Sequence, residues 1–102
     1  MKIPKKINIL GTVYKVYFAK NIRKAIKKYE PPAKDVEMVG YCSTKYSVII
    51  ISKDLSEQTK ETVFIHEIIE AINDVLDLDM RHDNIDRLEV ALHQVFKQNK
   101  VF

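Results

Sequence analysis

Two hydrophobic periods alternate along the chain. In KINILGTVYKVYFA (residues 6–19), β-branched and aromatic side chains flank Leu10-Gly11, with Val13, Lys15 and Tyr17 on one parity and Tyr14, Val16 and Phe18 on the other. This predicts a strand, a tight turn near Gly11 and a longer strand. KNIRKAIKKYE (residues 20–30) sets Ile22, Ala25, Ile26 and Tyr29 at helical spacing behind Asn21, a suitable cap, and runs into Pro31-Pro32. A short amphipathic helix with a basic outer face follows from that spacing. From Val36 to Ser52 the period returns to two, in two strand-like runs joined around Ser43 to Tyr46, and Val48 to Ile51 reads as a strand covered on both faces.

The second half of the chain is helical. Ser56 is placed to cap a helix with Glu57 and Glu61 near its positive end, and Phe64, Ile65, Ile68, Ile69, Ile72, Val75 and Leu76 form a broad apolar face. This should be the central, most buried helix. After the acidic link DLDMRHDN, a last helix from about Asp83 to Asn99 carries an apolar stripe of Ile85, Leu88, Leu92, Val95 and Phe96. A second stripe on it, His82, Asp86, Glu89 and His93, steps by four, three and four.

The expected fold is therefore α+β, a small, mostly antiparallel sheet packed against about three helices, as a single domain over residues 1–102. Two Gly and three Pro leave little room for linkers, and no internal repeat is present. No apolar run approaches the ~18 residues of a membrane span, and the basic start MKIPKKINIL lacks the apolar core and cleavage site of a leader, so a cytoplasmic monomer is expected. The single Cys42 forms no internal disulfide, which agrees with a reducing compartment.

Charge is unevenly placed. Residues 1–34 hold ten Lys/Arg and one acid, whereas residues 35–102 hold seven Lys/Arg and thirteen acids. The basic half, with Arg23, Lys24, Lys27 and Lys28 on one short helix and Tyr14, Tyr17 and Tyr29 nearby, raises the class of nucleic-acid binding modules. No nucleic-acid motif accompanies it, and a solvated lysine-rich face is the preferred expectation.

The candidate chemistry lies in TVFIHEIIEAIND, residues 62–74. Residues four apart on a helix project together, so His66 and Glu70 can converge on one ion, while Glu67, turned about 100° away, can reach a water beside it as general base. A third ligand must come from another element. Glu89, His93 and His82 are the candidates. Carboxylate oxygens bind zinc, yet a second anion among the ligands weakens acidification of bound water and shifts preference toward harder ions such as Mn²⁺.

Taken in order, YSVIIIS, SEQTKETVFIHEIIEAI and IDRLEVALHQVF resemble the minimal zincin fold, in particular small gluzincin-like metallopeptidase relatives of phages and mobile elements. The resemblance covers most of the chain. It implies His66 as first metal ligand, Glu67 as general base, Glu70 as second ligand where the family has His, and Glu89 as third ligand; from this chain's own residues, His93 is the first substitute. It further implies a zinc-dependent hydrolase acting on a peptide or protein. The His-to-Glu departure at Glu70 motivates the alternative of an inactive protein-interaction module on the same scaffold.

Overall fold

A computed structural model describes residues 2–30 and 38–100. Val36 and Pro31-Pro32, expected to open a strand and to end the first helix, lie outside the described residues. Strands β1 (Lys6–Ile9) and β2 (Thr12–Ala19) form a hairpin in which Lys6 faces Lys15 and Ile9 faces Thr12. Its turn places Leu10 and Gly11 at φ 52° and 91°, positive at both central residues as two-residue hairpins with the right twist require, and Asn8 Oδ1 accepts from the Gly11 N–H at 2.9 Å. Helix α1 (Ile22–Ile26) starts where expected, the Asn21 side chain accepting from the Lys24 N–H. It ends earlier than expected: the Tyr29 and Glu30 N–H groups both close onto the Ile26 carbonyl.

Strands β3 (Gly40–Ser43) and β4 (Val48–Ser52) make a second hairpin, and β4 lies parallel to β2 in the order β1-β2-β4-β3. Two of the three pairings are antiparallel, so the sheet is mixed. The parallel pairing explains the run Val48 to Ile51, every residue of which is buried: a strand in the middle of the sheet has a helix on each face. Ile49 and Ile51 pack with Tyr14, Val16, Val63 and Phe64 on one face, and Val48 and Ile50 pack with Ile22, Ile26 and Tyr41 on the other.

The long helix α2 (Glu57–Leu76) occupies the first of these faces, capped by Ser56, whose side chain accepts from the Thr59 N–H. Its apolar face is shorter than the sequence suggests. Ile65 and Ile69 are buried, Ile68 and Ile72 are half-buried, and Val75 and Leu76 are half-exposed. The cause is geometric, since twenty helical residues span about 30 Å and strands of four to eight residues about 13 to 26 Å, so the last turn overshoots the sheet.

The C-terminus of α2 is closed by Asp77 in the left-handed conformation, its N–H bonded to Asn73 and Asp74 carbonyls. The Asn73 side chain accepts from the Met80 N–H at 2.9 Å and ties down the link into α3 (His82–Gln98). Ile85 of α3 is buried against Ile65 and Ile69, flanked by Met80, Leu92 and Phe96. Leu88 and Val95, expected in the buried stripe, are partly exposed instead.

Candidate metal centre

Contacts between α2 and α3 run from Glu70 with His82, through His66 with Asp86 and Glu89, to Glu61 with His93. The two helices are therefore antiparallel, and the polar stripe of α3 faces the histidine and acids of α2. The short link pinned by Asn73 is what delivers His82, the first residue of α3, beside Glu70.

His66 is mostly buried, its Nδ1 lying 3.0 Å from Glu89 Oε1 and 3.4 Å from Asp86 Oδ1 and its Nε2 3.5 Å from Glu70 Oε1. A proton on Nδ1 donated to Glu89 leaves the Nε2 lone pair turned toward Glu70. This is the carboxylate–histidine arrangement that orients an imidazole for a metal. His82 closes the opposite side, its ring edge-on to that of His66 at 5.3 Å between centroids. Its Nδ1 is 3.7 Å from Glu70 Oε1 and its Nε2 3.7 Å from Asp86 Oδ2.

These separations suit ligation. Two donors at tetrahedral positions about 2.1 Å from an ion lie about 3.4 Å apart, close to the 3.5 Å between His66 Nε2 and Glu70 Oε1. Ligand atoms of His66, His82 and Asp86 all lie within 4.8 Å of one another. The donor chemistry also fits: imidazole nitrogens and carboxylate oxygens suit zinc or manganese. Among the described residues, no lysine or arginine forms an ion pair with Glu67, Glu70, Asp86 or Glu89, and the cationic groups that reach this cluster are the imidazoles of His66 and His82 when protonated.

Glu67 is the most constrained member. It is 7% exposed and looks into a cleft of about 350 Å³ bounded by Met38, Val39 and Gly40 on one side and His66, His82, Asp86 and Glu89 on the other. Burial, reinforced by the charges of Glu70 and Glu89, pushes its pKa up to about 8. Gly40 permits this placement: a Cβ there would sit 2.5 Å from Val63 Cγ1 and 2.7 Å from Glu67 Oε2, so the start of β3 can lie against the carboxyl only without a side chain. Burial raises the Glu89 pKa as well, opposed by its hydrogen bond with His66. Cys42, behind Glu67 on β3, is pushed up to about 12, first by burial and then by Glu67, Glu70 and Asp74.

Of the residues singled out in the sequence, His66, Glu67, Glu70, Glu89 and His82 come together. His93 does not join them. It is buried with Nε2 2.8 Å from Glu61 Oε1, and Lys97 Nζ approaches the same carboxylate at 3.3 Å. Burial disfavours the Glu61 charge, but the hydrogen bonds from His93 and Lys97 outweigh it and hold the pKa below its ordinary value. This group clamps α2 to α3 one helical turn beyond the cleft. Asp86 was visible as part of the α3 stripe but not as a donor, and its i+4 spacing from His82 was the available signal. Gly40 and Asn73 carried no signal in the sequence, because their roles depend on what lies across from them.

No family model, curated protein or solved structure matches the chain.

Proposed function

We propose that this chain holds a divalent transition-metal ion between α2 and the start of α3, in a zincin-like arrangement, and hydrolyses a peptide bond there. The observation carrying the proposal is the clustering of His66, His82 and Asp86, one ligand atom of each lying within 4.8 Å of the others, with Glu70 Oε1 3.5 Å from His66 Nε2 and the buried Glu67 carboxyl beside them. His66 and Glu70 would hold the ion together with His82 or Asp86, and Glu89 would orient His66 from behind. An ion bound there supplies Lewis acidity for a carbonyl and lowers the pKa of a water.

The chain's own residues supply the rest. A carboxyl that keeps its proton to about pH 8 is an acid at neutral pH, and a positive charge nearby is what would turn Glu67 into a base. Met38 to Gly40, along one wall of the cleft, would lie beside an extended substrate. A second reading, a metal-holding interaction scaffold without turnover, is favoured by Glu70, because a carboxylate in place of an imidazole weakens water activation.

Metal analysis of the chain purified without chelator, followed by Zn²⁺ and Mn²⁺ titration of wild type and His66→Ala, tests the site. Near-stoichiometric binding that is lost in the variant supports it, and equal binding by both excludes it. Cleavage of a peptide library by wild type but not by Glu67→Gln separates the hydrolase from the scaffold.

A further inference from the structure

We propose that the uncovered half of the sheet, strands β1 and β2 on the side that α1 occupies, binds single-stranded nucleic acid. The two faces of the sheet are unequally covered. On the α2 face, Ile9, Tyr14 and Val16 are buried under the helix. On the other face, α1 is five residues long and packs on Val48 and Ile50 of β4 and Tyr41 of β3. Alternation along β2 puts Val13, Lys15 and Tyr17 on that second face, and the hairpin register adds Lys6 opposite Lys15 and Asn8 opposite Val13. All five are exposed.

Lys6 and Lys15 oppose each other directly across the hairpin, where like charges destabilise a sheet. Among the described residues, no carboxylate forms an ion pair with either. Tyr17 follows Lys15 on the same face, 44% exposed, and its neighbour on β4 is Ile50, already under α1. The ring therefore stands at the border between the bare half and α1, where Lys24 of the helix and Lys27 and Lys28 just after it are exposed. A groove of about 600 Å³ passes along Lys6, Lys15 and Tyr17 beside Pro4.

Uncompensated lysines beside an open aromatic ring match a backbone of phosphates carrying unpaired bases: the lysines meet phosphates and the ring stacks on a base. A duplex hides its base faces from Tyr17. An acidic peptide would satisfy the lysines and leave the ring without a planar partner.

The test is fluorescence anisotropy with labelled oligothymidylate and oligouridylate of about 12 nucleotides, from about 50 to 200 mM salt. Binding that weakens with salt is expected. Lys15→Glu should weaken it about tenfold while leaving the thermal midpoint unchanged or raised, since it creates an opposite-charge pair with Lys6. Tyr17→Ala should also lose about tenfold and Tyr17→Phe should bind like wild type. A charge-matched control, Lys100→Glu, and the cleft variant His66→Ala should both keep wild-type affinity. No binding at low salt overturns the proposal, as does an equal loss in the charge-matched control. Preferential binding of a poly-glutamate peptide, indifferent to Tyr17→Ala, overturns it in favour of an acidic protein partner.

Discussion

The cleft between α2 and α3 and the bare half of the sheet each gather like charges, and they carry them at very different cost. In the cleft, Glu67 and Glu89 are largely removed from water, and the pKa of each rises because burial penalises the charged form. On the sheet, Lys6 and Lys15 face each other exposed to solvent, which screens them. Burial, more than the number of charges, decides how strongly a site calls for a counter-charge. Under the two proposals, one compact cation would balance the acidic cleft, whereas an extended anion held by many weak contacts would meet the basic face.

The largest expected effect concerns the clamp that keeps the cleft assembled. Glu61→Ala leaves His93 buried and Lys97 without its carboxylate, and should cost about 3 kcal/mol of stability in urea denaturation. Because the folded-state pKa of Glu61 lies below 4.5, its contribution is present above that pH and should be lost as the pH falls through the folded value, closing the gap to the variant. A gap that persists in strong acid would mean that packing alone joins the helices.

Next in size is the response to metal. Zinc at about a hundred times its dissociation constant should stabilise the wild type by about 2.7 kcal/mol and leave His66→Ala unmoved, as read by thermal denaturation. The sheet face should be indifferent to zinc, so a shift equal in both proteins would dissolve the contrast between the two regions.

Removing the buried acid should follow. With a folded pKa of about 8 against an ordinary 4.5, Glu67 holds a proton in the folded state that the unfolded chain releases, so metal-free stability should fall as pH rises from about 4.5 to 8. Glu67→Gln should flatten that slope, leaving the variant more stable than wild type at pH 8 and no more stable at pH 4. An unchanged slope would show that Glu67 is not the group whose burial opposes charge.

The smallest effect belongs to the exposed face. Lys15→Glu replaces a like-charge pair by an opposite one and should add at most about 1 kcal/mol, a rise of a few degrees in midpoint that salt erodes. A larger change would mean that the face is less solvated than its exposure indicates.

Much of the fold was legible locally. The Asn21 and Ser56 caps, the turn at Gly11 and the buried run Val48 to Ile51 all follow from short-range rules, and they hold, as does the start of the last helix, expected at about Asp83 and found at His82. The pairing of β2 with β4 was not legible, because a parallel neighbour is chosen by which strands share helices and leaves no mark on either strand's own pattern. Val75 and Leu76 misled for a related reason: helical periodicity continues past the edge of the sheet that it is meant to cover. In the cleft, the spacing of His66, Glu67 and Glu70 and the stripe His82, Asp86, Glu89 and His93 were written in the chain. Which end of that stripe meets His66 was not.

The sequence by itself determined the elements, their caps, the two opposite charge populations and the helical face on which His66 and Glu70 converge, because each depends on residues within a few positions of one another. Only the tertiary structure decided that α3 runs antiparallel to α2, so that His82, Asp86 and Glu89 join His66 while His93 is drawn to Glu61. It likewise decided that Gly40 admits the Glu67 carboxyl and that Lys6 meets Lys15 on an uncovered sheet. The physical reason is common to all three: which side chain lies opposite another, and how much water remains between them, is set by packing across the chain and not by spacing along it.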